Sequence, residues 1–194
     1  MILTNGFLDS QASSRGIYTA DSAQNRVLYE NETILKKSNK YDVFLSHRYM
    51  DGKRVMTLVN MFNDAGYSVY VDWLEDPQLD RNNVTAYTAA ILKLRMLSSK
   101  GLTFLATDNS SYSKWCPWEL GYMDGKNGRC CILPVLDYNA TTFRGVEYLG
   151  LYPYIEYNTQ QGTGKFDFWV YDQNDNTKYI RLDFWLNGNN PIKH

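Results

Sequence analysis

The sequence has few histidines and cysteines, the side chains on which metal sites and many nucleophilic sites depend. Its 194 residues include two histidines, His47 and His194, and three cysteines at positions 116, 130 and 131. These residues lack the spacing of zinc ligands, so we expect no metal site and no bound cofactor. The cysteines also lack the even framework of a disulfide-rich secreted protein, and we expect reduced thiols.

Several motifs that mark common nucleotide and hydrolase sites are absent. The sequence contains no G-x-G-x-x-G and no G-x-x-x-x-G-K-[ST], which excludes a standard Rossmann dinucleotide site and a standard P-loop. It has no G-x-S-x-G elbow, and two histidines leave little material for a Ser/His/Asp triad.

The sequence also lacks an excess of charge of one sign and a long apolar run. Lys plus Arg number 20 and Asp plus Glu number 21, which gives a formal charge of −1. Nucleic-acid binding and polybasic membrane anchoring both need clustered basic charge. No apolar run approaches a membrane span, and the first residues do not resemble a signal peptide. We therefore expect a cytoplasmic protein that binds neither nucleic acid nor membrane.

What the sequence does contain is a regular alternation of strands and helices. Four short apolar runs have the length and composition of buried strands: residues 41–46, 67–71, 102–106 and 130–136. Three segments between them are predicted as helices: residues 53–65, 84–100 and 117–124. Nearly continuous apolar strands that alternate with helices predict an open, doubly wound α/β domain with a parallel sheet.

Two details of this prediction concern the longest helix and the two adjacent cysteines. The helix at 84–100 is expected to end at Gly101 and to bury one stripe of side chains: Tyr87, Ile91, Leu94 and Leu97. Cys130 and Cys131 are adjacent on a predicted strand, so they are expected to face opposite sides of the sheet.

Polar segments follow three of the predicted strands. In a parallel sheet these segments meet at the carboxyl edge, where ligands collect in such folds. They are residues 46–51, 72–83 and 107–114, and we interpret 73–83 and 107–112 as a loop and a turn.

The regions on either side of this domain differ in composition. Residues 1–40 are polar and are interpreted as an N-terminal arm with a short helix around 23–36, and residues 41–140 as the domain core. Residues 141–194 are interpreted as an aromatic, β-rich C-terminal extension packed on the core. In it we predict a proline-containing edge strand at 152–157. A hairpin is predicted from two further strands, at 166–171 and 177–182.

The segment with most chemical potential is residues 110–122, which read SSYSKWCPWELGY. Pro117 suits the first turn of a helix, and Trp115 and Glu119, four residues apart, can project the same way at its start. A carboxylate beside an aromatic plane is suited to hold a ribose under a stacked base. The alternative is structural, since the helix dipole alone favours a first-turn Glu and the tryptophans can belong to the core.

Three parts of the chain resemble TIR domains. Residues 41–47, YDVFLSH, resemble the opening strand of that family, (Y/F)DVF(I/L)S(Y/H). Asp72 matches the acidic residue that often opens the loop after the second strand. Residues 111–116 are similar to the S-x-x-Y-x-x-S-x-W-C stretch of plant TIR domains, which leads into a helix with a Glu four residues after the Trp. The resemblance covers about residues 41–137 and implies the flavodoxin-like TIR fold.

The resemblance also implies a function. Enzymatic TIR domains cleave the nicotinamide–ribose bond of NAD, so the chain is expected to be an NAD+ nucleosidase with Glu119 as its catalytic residue. The layout is most similar to stand-alone bacterial TIR proteins, and among these to the TIR component of Thoeris anti-phage defence, which makes a nucleotide signal from NAD. This implies NAD as substrate, a separate effector protein that responds to the product, and a homo-oligomer or filament.

Two departures limit this comparison. The loop after Asp72 lacks the Gly that often accompanies Pro77, which leaves its role in assembly open. Residues beyond 137 do not map onto the family.

A single carboxylate is chemically sufficient for this reaction. The nicotinamide leaving group is cationic in the substrate and needs no protonation, whereas ordinary glycosidases need a second carboxyl group as the acid. One carboxylate can stabilise the oxocarbenium-like transition state. Attack by water gives ADP-ribose, attack by a group of the same molecule gives a cyclic ADP-ribose isomer, and attack by another nucleophile gives a conjugate. The sequence leaves these products open.

Eight further residues are expected to bind the substrate: Phe44, Ser46, His47, Arg48, Asp72, Trp73, Tyr112 and Trp115. Phe44 and Trp115 are candidates for contact with the bases. Ser46, His47 and Arg48 are candidates for contact with ribose or phosphate. Asp72 is expected to orient the pocket.

Most of these residues also have a structural interpretation. Phe44 can be a core residue, His47 a solvated loop residue and Arg48 a member of a surface ion pair. Asp72 can cap its loop, and Trp73 can serve packing alone.

Two other functions stay open at this point. One is a non-catalytic TIR module that acts as an assembly scaffold. The other is an enzyme similar to nucleoside 2-deoxyribosyltransferases, which also use a Glu on an open α/β sheet.

Overall fold

The computed structural model describes residues 1–18, 40–77, 85–107, 113–136 and 147–194. The strands are β1 (Leu3–Thr4), β2 (Tyr41–Ser46), β3 (Val69–Tyr70), β4 (Ser99–Ala106), β5 (Cys130–Leu136), β6 (Tyr154–Thr159), β7 (Phe166–Tyr171), β8 (Lys178–Arg181) and β9 (Ile192–Lys193). The helices are α1 (Asn5–Ser14), α2 (Gly52–Asp64), α3 (Asp72–Glu75), α4 (Ala86–Leu97), α5 (Trp115–Asn127) and α6 (Leu182–Leu186). Single 3₁₀ turns lie at Tyr49–Asp51 and Glu147–Leu151. The helix predicted around 23–36 lies outside the described residues.

The strands form one open sheet in the order β3-β2-β4-β5-β6-β7-β8-β9. The strands from β3 to β6 are parallel to their neighbours, and those from β6 to β9 are antiparallel. β1 pairs with the end of β5, beyond the point at which β6 pairs with it. The predicted α/β class with an open, mostly parallel sheet is confirmed.

Helices cover both faces of the sheet. One buried cluster contains side chains of α1, α2 and α6, and a second contains side chains of α4 and α5. Cys131 belongs to the first cluster and Cys130 to the second, which confirms that the two thiols face opposite sides. All three cysteines are free and buried, and burial raises the pKa of Cys131 to about 12.

The buried face of α4 differs from the predicted stripe. The helix buries Thr88, Leu92 and Met96, whereas Tyr87 is 69% exposed and Leu94 is 63% exposed. Apolar residues occur at helical spacing on two faces of this segment, and only the position of the sheet decides which face is covered.

α4 also ends earlier in the chain than the sequence predicts. The helix ends at Leu97, and Gly101 lies inside β4, where it pairs with Val43. A Cβ at Gly101 would lie 2.7 Å from Leu186 Cδ2 and 3.0 Å from the carbonyl oxygen of Arg129. The glycine is therefore explained by a close approach in the sheet and not by the end of a helix.

Three smaller differences concern the connections at the carboxyl edge. Residues predicted as the start of a loop form α3, and residues 78–84 lie outside the described part of the chain. β3 is shorter than predicted. α5 begins at Trp115, two residues before Pro117, and ends at Asn127. The next residue, Gly128, has a φ of 64°, the left-handed conformation that glycine adopts readily.

The C-terminal strands continue the sheet. β6 was predicted as an edge strand, and this is wrong because it lies between β5 and β7. Pro153 immediately precedes it, and the Pro153 carbonyl accepts a hydrogen bond from the Ile132 amide, so the missing N–H of proline interrupts no pair of β6. The predicted hairpin is confirmed as β7 and β8. The domain boundaries at residues 40 and 140 stay predictions.

Of the helices described here, none combines the length and the apolar character needed to cross a membrane.

Candidate active site

The carboxyl ends of three neighbouring strands bring buried polar side chains to one edge of the sheet. Ser46 ends β2, Asp72 follows β3 and Thr107 follows β4. All three are buried. Glu119 reaches the same edge from α5 and is wholly enclosed, with 0% of its surface exposed.

A short hydrogen bond joins β2 to α5 at this edge. The Ser46 hydroxyl donates to Glu119 Oε2 over 2.6 Å. A buried carboxylate needs such donors because burial removes its hydration, and a hydrogen bond to a charged oxygen is stronger than one between neutral groups. Because α5 starts at Trp115, Glu119 lies in its second turn and not in the predicted first turn.

The start of α5 is fixed by a neighbouring serine. The Ser113 hydroxyl oxygen accepts hydrogen bonds from the backbone amides of Trp115 and Cys116, at 3.3 and 3.2 Å. These amides are among those that a helix leaves without a partner in its first turn. The polar lead-in before the helix therefore fixes the first turn of α5, and Glu119 projects from the turn that follows.

His47 makes hydrogen bonds through both of its ring nitrogens. Its Nδ1 lies 2.8 Å from the Leu45 carbonyl oxygen, and its Nε2 lies 2.7 Å from Trp73 Nε1. An indole N–H can only donate, so Nε2 must be the acceptor and the proton must be on Nδ1. The ring is then neutral, and the 3.5 Å approach of Asp72 Oδ1 to Nε2 is not an ion pair in this arrangement. With 6% of its surface exposed, His47 is not a solvated loop residue.

α3, which carries Asp72 and Trp73, is held by an ion pair at its end. Asp76 accepts two hydrogen bonds from Arg95 of α4, at 2.8 and 2.9 Å, and a third from the Tyr70 hydroxyl at 2.8 Å. Glu75 accepts a hydrogen bond from the Tyr41 hydroxyl at 3.1 Å. Burial raises the pKa of Glu75 above its ordinary value, although Tyr41 and Arg95 act in the opposite direction.

Asp51 and Thr107 are two buried residues at this edge that the sequence did not single out. The Thr107 hydroxyl donates to Asp51 Oδ2 over 2.8 Å, and Arg54 donates to Asp51 Oδ1 over 2.9 Å. The pair ties the connection after β2 to the end of β4. Both lie in polar segments that follow predicted strands, which was the available signal, but pairing between two such segments is visible only in three dimensions.

The two residues that were predicted to contact the bases of NAD, Phe44 and Trp115, lie in different surroundings. Phe44 is 1% exposed and stacks on Tyr70 with ring centroids 5.1 Å apart, so its ring is enclosed by the core. Trp115 is half-buried and meets the ring of Trp118 edge-on at 5.4 Å. Arg48 is half-buried and directly follows His47. Tyr112 lies outside the described residues.

The arrangement as a whole places the enclosed Glu119 carboxylate, with the Ser46 hydroxyl as its donor, at the same sheet edge as Asp72 and the His47–Trp73 pair. The residues that the structure brings together are Ser46, His47, Asp72, Trp73 and Glu119. A carboxylate in a poorly hydrated site interacts strongly with a developing positive charge. The site is therefore suited to stabilise a cationic transition state.

Comparison with known proteins gives two relatives. No protein-family model matches the chain. Over 189 residues it is 39% identical to the "Probable 3' cyclic ADP-D-ribose synthase ThsB'" of Bacillus cereus strain MSX-D12, and the alignment covers 97% of this chain and 96% of that protein. It is also 42% identical over 83 residues to the "Putative cyclic ADP-D-ribose synthase TIR2" of Cytobacillus dafuensis, which is 42% of this chain and 22% of the relative. The first similarity extends well beyond residues 41–137.

Proposed function

The chain belongs to the Thoeris-like TIR-domain family of its Bacillus cereus relative, and on this premise we propose that it is an NAD-using enzyme that cleaves the nicotinamide–ribose bond and forms a cyclic ADP-ribose. The observation that carries the proposal is the enclosed Glu119 carboxylate, with Ser46 as its donor, at the carboxyl edge of the sheet.

The first step is departure of nicotinamide. The glycosidic bond breaks, and nicotinamide leaves as a neutral molecule with the electron pair of that bond. Positive charge develops on the anomeric carbon and the ring oxygen of the ribose. The Glu119 carboxylate stabilises this charge, and no general acid is needed because the leaving group is already cationic in the substrate.

The second step decides the product. In the proposed cyclisation, a hydroxyl group of the same molecule attacks the anomeric carbon, and its proton passes to the carboxylate or to water. The same intermediate gives ADP-ribose when water attacks. The names of both relatives favour the cyclic product.

NAD must reach a carboxylate that is 0% exposed. Substrate entry therefore requires movement of groups that cover Glu119. Such movement also admits water, so the cyclic product requires that the site closes again around the bound substrate before nicotinamide leaves.

Partners and location follow from the same proposal. We infer that a separate effector protein responds to the cyclic nucleotide in anti-phage defence, and that the enzyme acts in the cytoplasm without a cofactor. A homo-oligomer or filament stays a prediction.

The test is a product analysis by mass spectrometry. Purified protein is incubated with NAD and, separately, with deoxynucleosides, alongside Glu119→Gln and the control Glu156→Gln on β6. We expect nicotinamide and cyclic ADP-ribose from the wild type and the control, and a loss of at least about 100-fold in Glu119→Gln. Absence of NAD turnover in folded wild-type protein favours the scaffold. Base exchange on deoxynucleosides without NAD turnover favours a deoxyribosyltransferase-like enzyme.

A further inference from the structure

The His47 ring is fixed by two hydrogen bonds that leave it no nitrogen for a ligand. Nδ1–H donates to the Leu45 carbonyl oxygen at 2.8 Å, and Nε2 accepts the indole N–H of Trp73 at 2.7 Å. The ring is also 6% exposed. A contact between His47 and a ribose or phosphate would break one of these bonds and leave its other partner unsatisfied, which is costly in a buried place.

The same bond restricts what Trp73 can do. Its indole N–H is used by His47, so Trp73 can meet a ligand only through the ring. Trp73 packs against the core cluster that contains α2, and as a residue it is only partly buried. An accessible indole face is suited to stack on a flat aromatic base.

The position of Trp73 matches this role. It follows Asp72 at the end of β3, and β3 is the parallel neighbour of β2, whose last residue, Ser46, holds Glu119. α3 is fixed independently by the Asp76–Arg95 ion pair, so the backbone under Trp73 has little freedom. What remains to be fixed is the rotation of the indole, and the bond to His47 sets it.

We propose that His47 is a positioning residue, whose neutral Nδ1–H form orients the Trp73 ring so that its face receives one of the two bases of NAD. The proposal rests on the proposed function. Asp72, 3.5 Å from the same Nε2, does not compete with Trp73, because an unprotonated nitrogen has no proton to donate to a carboxylate.

The kinetic test separates the two nitrogens of His47. His47→Gln places an acceptor near the position of Nε2, whereas His47→Asn reaches only the position of Nδ1 and loses that acceptor. We expect KM for NAD to rise about tenfold in His47→Asn with kcat little changed, because a ground-state binding contact is weakened, and to recover to within about threefold in His47→Gln.

Trp73→Phe keeps an aromatic ring and removes the indole N–H. If His47 acts through Trp73, adding His47→Asn to Trp73→Phe raises KM little further, because the bond is already absent. Trp169→Phe on β7 is the matched control, since the Trp169 indole N–H also donates a hydrogen bond, in this case to the carbonyl oxygen of Asn158. It should leave KM unchanged. Additive effects of the two site substitutions would overturn the proposal.

A second measurement does not depend on turnover. Nitrogen-15 labelling of the indoles gives one N–H resonance for each of the five tryptophans, and Trp73→Phe identifies its own. We expect this resonance to move in His47→Asn, and to move again when NAD is added to the Glu119→Gln protein. If the resonance does not move in His47→Asn, the hydrogen bond between His47 and Trp73 is contradicted. If it does not move with saturating NAD, the stacking of a base on Trp73 is contradicted. Failure of the proposed function is recognised separately: both shifts are then seen in the two variants, but the wild-type protein does not consume NAD.

Discussion

The Ser46 hydroxyl donates a 2.6 Å hydrogen bond to the Glu119 carboxylate across 73 residues of sequence, and both side chains are fully buried. Ser46 belongs to the opening-strand motif and Glu119 to the Trp-x-x-x-Glu element. These two motifs look independent in the sequence. In the structure they are two halves of one site, because the first supplies the donor that a buried carboxylate of the second requires.

Removal of this donor should impair catalysis. In Ser46→Ala the carboxylate loses its hydrogen bond from the Ser46 hydroxyl, so its position is less well fixed. We expect kcat for NAD cleavage to fall about tenfold, which corresponds to the lower range for hydrogen bonds to charged groups. Steady-state kinetics with NAD measures the change.

A matched control for this substitution is available at the opposite edge of the sheet. Ser99 at the start of β4 is also buried, and its hydroxyl donates to the Arg95 carbonyl oxygen at 2.9 Å. Ser99→Ala should lower the free energy of unfolding by about 1 kcal/mol without changing kcat. Equal kinetic losses in the two variants would mean that Ser46 contributes only to stability.

The Asp76–Arg95 ion pair should contribute strongly to stability. Asp76 is buried and accepts two hydrogen bonds from Arg95, which is partly buried. Arg95→Met leaves the Asp76 carboxylate buried with the Tyr70 hydroxyl as a donor. We expect the free energy of unfolding to fall by about 3 kcal/mol, near the lower end for a broken buried pair. Urea unfolding followed by circular dichroism measures it.

Lys53→Met is the control for this prediction. Lys53 pairs with Asp9 at 3.0 Å, but both side chains are about two-fifths exposed, at 41% and 40%. Solvent screens such a pair, and its loss should cost less than about 1 kcal/mol. A similar loss of unfolding free energy in both variants would show that the burial of Asp76 does not strengthen its ion pair.

The order of elements and the parallel sheet could be predicted from the sequence because each strand is a short apolar run bounded by polar residues. The edge at which Ser46, Asp72 and Glu119 meet follows from the same pattern. The fold therefore located the site, although it did not identify every partner within it.

What could not be predicted depends on contacts between distant segments. α4 has apolar side chains on two faces, and the sheet selects Leu92 over Leu94. The bond between His47 and Trp73 joins residues 26 positions apart, and neither spacing nor composition reports it. Likewise, the position of β6 inside the sheet depends on strands that come after it in the chain.

Gly101 should be intolerant of substitution. A Cβ there would lie 3.0 Å from the Arg129 carbonyl oxygen, which belongs to the backbone and cannot rotate away, and 2.7 Å from the end of Leu186. We expect Gly101→Ala to lower the free energy of unfolding by about 1–3 kcal/mol, the usual range for overpacking. Thermal and urea unfolding measure the loss.

Substitution of Gly125 should have the opposite effect in the same unfolding measurements. It lies in α5 with open space around the position of a Cβ. Alanine at an unstrained helical position loses less chain entropy on folding, so Gly125→Ala should stabilise the protein by about 0.5–1 kcal/mol. If Gly101→Ala is also stabilising, β4 and α6 are not in the close contact described here.

Asp42 at the start of β2 should make the protein sensitive to acid. Burial acts to raise the pKa of its carboxyl group, but hydrogen bonds from Lys100 and from the amide and hydroxyl of Ser68 outweigh it, and the pKa lies below its ordinary value of 3.8. The unfolded state then binds more protons than the folded state in acid. The stabilisation is present above about pH 4 and is lost as the pH falls through the folded-state pKa.

Asp42→Asn removes this titrating group, so the free energy of unfolding should fall less steeply between about pH 4 and pH 2 than in the wild type. Glu75→Gln should change the pH dependence of the free energy of unfolding in the opposite direction. Because burial raises the pKa of Glu75, the wild type loses stability as the pH rises above the ordinary value of 4.5, and the glutamine variant does not. Urea unfolding from pH 2 to pH 7 compares the three proteins. Parallel curves for wild type and Asp42→Asn would contradict the assigned role of the Lys100 and Ser68 contacts, whatever the behaviour of Glu75→Gln.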